Sequence, residues 1–136
     1  MQAKFPLQQK ATELGLISDP VVPIEVLTRT GYQKFDFIVD TGADCSIMPK
    51  SVAKDLAVDI RKAVKMHFGG IEGRSILTYI VKITVKITKT PIAITCALSS
   101  NEQCPFILGR KDVFSRYNIL FDNKSKTINF VSIDDL

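Results

Sequence analysis

The stretch Phe35-Asp36-Phe37-Ile38-Val39-Asp40-Thr41-Gly42-Ala43-Asp44 decides the fold. Phe35, Phe37 and Val39 alternate with Asp36, Ile38 and Asp40, the period-two pattern of a strand with one buried face. Gly42 then marks a turn, so the strand ends by delivering the carboxylate of Asp40 at its tip. Upstream, Val22, Ile24 and Val26 alternate with Pro23, Glu25 and Leu27, and the segment from Thr28 to Gln33 holds Gly31. Two alternating runs around a glycine-containing loop predict a β-hairpin whose second strand leads into Asp40.

Downstream, Pro49 to Leu56 predicts a short helix with Pro49 in its first turn. Met66-His67-Phe68-Gly69-Gly70-Ile71-Glu72-Gly73 carries Gly69, Gly70 and Gly73 close together and predicts a mobile or tightly turned loop. Leu77, Tyr79, Val81, Ile83, Val85 and Ile87 are apolar, and Lys82, Thr84, Lys86 and Thr88 lie between them, which predicts a long strand with one buried and one wet face. After the Thr90-Pro91 turn, Ile92, Ile94, Cys96 and Leu98 predict another strand, followed by a polar loop from Ser99 to Pro105. The apolar run Phe106-Ile107-Leu108 ends at Gly109, and Arg110 to Ser115 suits one or two helical turns. Ile119 to Asp122 and Thr127 to Ile133 read as strands around the turn Asn123-Lys124-Ser125-Lys126. Residues 21–136 are thus expected to form an all-β domain of short strands with one or two short helices. Residues 1–20 read as a separate N-terminal arm or linker. Leu7, Ala11 and Leu14 fall at helical spacing before Gly15 and Asp19-Pro20 interrupt it, so a short helix or a loose arm is expected there.

At 136 residues the chain suits one domain with a real core, and 46% apolar against 24% charged residues is a globular balance. The net charge of +4 is mild, the lysines are dispersed (Lys82, Lys86, Lys89), and no basic run is interleaved with aromatics, so no nucleic-acid partner is expected. Cys45, Cys96 and Cys104 are odd in number and match no zinc spacing, which predicts reduced, mostly buried thiols, no bound metal and no cofactor. Residues 1–10 lack the apolar run of a signal peptide, and no run of about 18 apolar residues exists, so no membrane partner and a cytoplasmic location are expected.

Three features in this order resemble the retropepsin-like aspartic proteases: Phe37 to Asp44 as a catalytic loop, Gly69 to Gly73 as a glycine-rich flap, and Ile107-Leu108-Gly109-Arg110 as the apolar-apolar-Gly motif before a helix. The resemblance covers most of residues 21–133. It implies a closed or partly open acid-protease barrel, half of a pepsin-like bilobal enzyme. It also implies an aspartic endopeptidase in which Asp40 is the one catalytic carboxylate of each subunit. Because the chain holds a single Asp-Thr-Gly, the active site would form from Asp40 of two subunits in a homodimer. Thr41 would brace the two loops across the two-fold axis, and Gly42 would let the backbone approach an extended peptide substrate. Ala43 and Asp44 would complete the substrate-binding loop, with Asp44 also pairing with Arg110. Gly69, Gly70 and Ile71 would fold over the substrate, and Gly109 and Arg110 would support the loop.

Plainer roles stand beside these. Asp40 also suits a turn at a strand end, Asp44 and Arg110 a purely structural ion pair, and the glycines at 69–73 an ordinary hairpin turn. His67, the only histidine, suits a surface or packing role, and Cys45 a buried filler. Asp112 and Asp122 suit local capping, and Asp122 lacks the Thr-Gly that would pair it with Asp40. A catalytically silent dimerisation or peptide-binding module with the same fold is the alternative function, and a protease domain released from a larger polyprotein is a third.

Ala43 carries a prediction of its own. Pepsin-type loops usually place Ser or Thr there, whose hydroxyl stabilises the ionised dyad, and alanine removes that donor. A pH-rate profile should therefore peak at a less acidic pH than that of pepsin, and an optimum below about pH 3 contradicts the assignment.

Overall fold

In the computed structural model, which describes residues 1–69 and 75–135, the two alternating runs before Asp40 form the expected hairpin. Its strands are paired from Val21 opposite Ile38 to Thr28 opposite Gly31. The turn closes at Gly31 with φ at 110°, a left-handed conformation that glycine adopts without strain. The strands in chain order are β1 (Gln2–Pro6), β2 (Gln8–Thr12), β3 (Gly15–Asp19), β4 (Val21–Thr28), β5 (Gly31–Val39) and β6 (Ser46–Pro49). They continue as β7 (Val64–Gly69), β8 (Ser75–Lys86), β9 (Ile92–Ser99), β10 (Ile107–Leu108), β11 (Tyr117–Asp122) and β12 (Thr127–Ser132).

Seven of these lie in the order β4-β5-β10-β6-β9-β8-β7, and β8 also pairs with β4. That extra pairing, Glu25 with Lys86 and Val26 with Val85, closes six strands into a barrel and leaves β7 outside the ring. Val22, Ile24, Val26, Phe37, Met48, Val85, Ile94, Cys96, Leu98 and Leu108 fill the barrel and are fully buried. A second sheet, β1-β12-β11, covers one opening with Ile128 and Phe130, and Phe5 and Tyr117 meet Phe130 edge-on at 5.7 and 6.0 Å. β2 and β3 form a third, two-stranded sheet.

Several expectations change, and Met66 to Gly69, expected in a loop, belong to strand β7. Residues 2–6 are a strand, because Ala3, Phe5 and Leu7 point into the core at period two while β12 offers an edge with which β1 pairs along its whole length. Residues 8–19 are a hairpin, not a helix, and turn tightly at Gly15 with φ at 96°. The helix expected over Pro49 to Leu56 shrinks to a 3-10 segment, Lys50–Lys54, and two further 3-10 segments, Ile60–Lys62 and Ile133–Asp135, lie where no helix was expected. After Gly109 the chain makes helix-like bonds from Phe114 N–H to Arg110 C=O (3.0 Å) and from Tyr117 N–H to Val113 C=O (3.2 Å). A regular helix does not form there because Asp112 sits at φ 66°. In β8, Ile83 and Val85 face the core as the alternation requires, but Thr78 is buried on the other face, where its hydroxyl donates to Met66 C=O at 2.8 Å.

Asp112 uses its unusual backbone to clamp the barrel. One carboxylate oxygen accepts the Thr95 N–H (2.8 Å), the Thr95 hydroxyl (2.7 Å) and the Lys82 ammonium (3.1 Å). These donors, the Thr95 hydroxyl first, hold its pKa down at about 2. A depressed carboxylate stabilises the fold above its unfolded pKa and loses that contribution as pH falls through the folded value. Asp112→Asn should cost on the order of 1–2 kcal/mol at neutral pH. The difference from wild type should close between about pH 4 and pH 2 in denaturation curves. A gap that persists unchanged at pH 2 would refute the electrostatic assignment.

Candidate active site

The carboxylate of Asp40 is positioned by the strand before it and by a second strand inserted from far along the chain. β10 lies parallel to β5, with Ile107 opposite Ile38 and Leu108 opposite Val39. Ile38 N–H donates to Phe106 C=O at 2.8 Å and Asp40 N–H to Leu108 C=O at 3.1 Å. Phe106 stacks on Phe35 and meets Phe37 edge-on, at 5.3 and 5.6 Å, so the register is locked on both the backbone and the side-chain side.

Beyond Val39 the chain turns. Ala43 N–H donates to Asp40 C=O at 3.3 Å, and Gly42 N–H donates to Asp40 Oδ1 at 2.8 Å, which fixes one oxygen of the half-buried carboxylate. The turn after β10 runs alongside. Arg110 N–H donates to Ala43 C=O at 2.9 Å and Lys111 N–H to Asp44 C=O at 2.8 Å. Gly109 N–H donates to the buried hydroxyl of Ser46 at 3.1 Å. A Cβ at position 109 would lie 2.2 Å from the Cys45 carbonyl oxygen, so only glycine lets the two turns touch. Asp44 and the Arg110 guanidinium form an ion pair, although Asp44 is 91% and Arg110 51% exposed. Water screens such a pair, so it orients the two side chains more than it stabilises the loop.

The structure therefore brings Asp40, Thr41, Gly42, Ala43, Asp44, Gly109 and Arg110 into one pair of abutting turns. A cleft of about 230 Å3 beside them is lined by Gly42, Ala43, Asp44, Cys45, Ile47, Phe68 and Gly69. Gly69 ends β7, opposite Ser75 in β8, so the β7–β8 pair faces the Asp40 loop across this cleft. Gly70 and Ile71 lie outside the described residues. Larger hollows of about 360 and 480 Å3 lie elsewhere, one beside Met1 and Asp135 and one among Lys34, Lys86 and Lys89.

The remaining candidates fall into quieter places. Cys45 is buried, and burial first, then the charge of Asp44, raises its thiol pKa, the reverse of an activated nucleophile. Asp122 accepts N–H bonds from Ser125 and Lys124, both at 3.0 Å, which lower its pKa and occupy it in the β11–β12 turn. His67 is exposed on β7. No group of three or more His, Cys, Asp or Glu residues able to hold a metal ion occurs among the described residues. No helix among them is long and apolar enough to cross a membrane. The sequence reading passed over Ser46, whose hydroxyl lies on the core side of β6 and ties the loop to Gly109; nothing in the linear pattern distinguishes it from a solvated serine.

Comparison with known proteins gives a consistent result. The family described as "gag-polyprotein putative aspartyl protease" matches residues 27–115. The fold is similar to a retropepsin-like aspartic protease from Rickettsia conorii, with a TM-score of 0.63 and 15% identity over 96% of this chain and 91% of that one. It is also similar to the EIAV protease solved with the inhibitor HBY-793, with a TM-score of 0.54 and 23% identity over 68% of this chain and 82% of that one. No curated protein sequence matches.

Two substitutions test the coupling of the turns. Gly109→Ala should destabilise by roughly 2–3 kcal/mol, because backbone must move to admit the methyl group. Ser46→Ala should cost about 1–2 kcal/mol by leaving a buried N–H without a partner. Urea titrations with intact m-values read both, and wild-type stability in Gly109→Ala would show that the turns do not pack this closely.

Proposed function

The chain belongs to the aspartyl protease family of gag-polyprotein type and has the retropepsin-like fold, and from that premise we propose that it is an aspartic endopeptidase active as a homodimer. The observation that carries the proposal is the placement of Asp40. This residue stands at the tip of β5, half-buried, with one carboxylate oxygen anchored by Gly42 N–H, on the loop whose following residues, Gly42 to Cys45, line a cleft. The other carboxylate at this loop, Asp44, is engaged by Arg110. A second acidic group to share a proton with Asp40 therefore has to come from another molecule, and two-fold symmetry supplies Asp40 of that molecule.

The chemistry follows from two carboxylates held at hydrogen-bond distance. Like charges that close do not both ionise, so the pair holds one proton and titrates as a unit; aspartic proteases are the usual example of this behaviour. The ionised member takes a proton from a water molecule as that water attacks the peptide carbonyl. The protonated member donates to the carbonyl oxygen as the tetrahedral intermediate forms. Thr41 braces the paired loops, and Gly42 admits the substrate backbone. Ala43 lines the floor, and Asp44, oriented by Arg110, bonds the extended peptide. Gly69, Gly70 and Ile71 form the flap that covers it, and Gly109 and Arg110 hold the loop from beneath. The substrate is an extended peptide that adds as a strand between floor and flap, with side chains entering apolar pockets that include Ile47 and Phe68. The protease unit centres on residues 21–136; within residues 1–20, β1 packs onto its β11–β12 sheet and the β2–β3 hairpin is the N-terminal arm.

Asp40→Asn should lower kcat on a peptide library by at least about 10³-fold while leaving fold and dimerisation intact. Wild-type specific activity should fall on dilution below the dimer dissociation constant. A pepstatin-like inhibitor should block cleavage. Equal cleavage by wild type and Asp40→Asn would end the proposal, and a folded, dimeric wild type that cuts nothing would favour a peptide-binding module.

A further inference from the structure

We propose that the β2–β3 hairpin is an arm that clasps a second copy of the chain; this rests on the dimer proposed above and extends it to residues outside the family match, which begins at residue 27. β2 and β3 pair with each other and, among the described residues, with no other strand. A lone two-stranded ribbon is marginal in water and needs a surface to lie on. The tip and β3 carry Leu14, Leu16 and Ile17, which are 90%, 70% and 42% exposed, a density of bare aliphatic groups that water disfavours.

The position of the arm selects its occupant. Its base is fixed on both sides: Leu7 N–H donates to Lys126 C=O at 2.9 Å, and Pro20 C=O accepts Val39 N–H at 2.8 Å. That second bond lies one residue before Asp40, so the arm springs from the end of the barrel that carries the Asp40 loop. If two Asp40 carboxylates share a proton, a second copy begins within a few ångströms of this base. Strands of five residues reach about 16 Å, enough to carry Leu14 and Leu16 onto that copy. Charge does not oppose this contact. The arm sets Lys10 against Glu13 and Asp19 and is slightly acidic, whereas the whole chain carries +4. A net charge of −1 on the arm and +4 on the chain leaves no overall charge repulsion of the arm against a second copy.

Gln8 and Asp19 are already cross-strand partners, so residues 9–18 can be replaced by Asn-Gly to close a two-residue turn without disturbing the base. A second variant, Leu14→Lys with Leu16→Lys, keeps the hairpin and removes only its apolar contact. Sedimentation equilibrium and thermal melts are run on both beside wild type. The expected result is a dimer dissociation constant raised at least about tenfold in each variant, with an unchanged monomer melting profile and with peptide cleavage recovered at high protein concentration. A dissociation constant unchanged in both variants, while wild type dimerises and cleaves, overturns the arm and leaves the dimer standing. Unchanged dimerisation with faster cleavage overturns it as well, because the hairpin then covers a cleft instead of a partner. A wild type that stays monomeric at every concentration overturns both the arm and the dimer.

Discussion

The close contact between the turn at Gly109 and the carbonyl of Cys45 is the constraint on which the site depends. Residues 63 positions apart, Ser46 and Gly109, share a buried hydrogen bond, and the backbones on either side of it run in van der Waals contact. That proximity lets β10 slot in parallel to β5, and the slotted strand in turn holds the Asp40 N–H. A two-residue strand would contribute little by itself. Here it is wedged between β5 and β6, so its position is set by neighbours on both edges. The Asp40 loop is consequently held to the barrel by β10 on one side and by the turn at Gly109 on the other.

Around this contact the charged groups divide the labour. Asp112 is only partly exposed and is engaged by three donors, so it contributes to stability; Asp44 and Arg110 are open to solvent, so their pairing contributes little. The thiols are on the inert side of the same division. Cys96 is buried, with its pKa well above the ordinary thiol value because burial disfavours its thiolate, and it serves as packing between β6 and β8.

Much of the fold could be read from alternation, because β4 keeps a strict period of two and the end of β5 follows it, although β9 and β12 also bury consecutive residues where both of their faces are covered. The Asp40 loop was legible for the same reason: an apolar strand, a carboxylate and a glycine follow one another without interruption. Where reading failed, a contact distant in sequence prevailed over the local pattern. Residues 1–6 look too short and mixed for a strand, yet the edge of β12 recruits them. Leu7, Ala11 and Leu14 mimic a helical face, but Leu7 is buried in the core while Leu14 stands in solvent. Thr78 breaks the expected wet face of β8 because Met66 C=O lies within reach of its hydroxyl. The left-handed Asp112, which interrupts the expected helix, is chosen by Thr95 and Lys82, neither of which is near it in sequence.

β8 is long enough to have two mechanical lives. Its later half is built into the barrel wall between β9 and β4, while its earlier half carries β7 out past the ring. The β7–β8 pair is thus a cantilever whose clamp is the hydrophobic interior itself. Only Ser75 to Leu77 and their β7 partners reach past the register with β9 that begins at Thr78, so the stiffness of the overhang depends on that pairing and on how tightly the barrel behind it is filled.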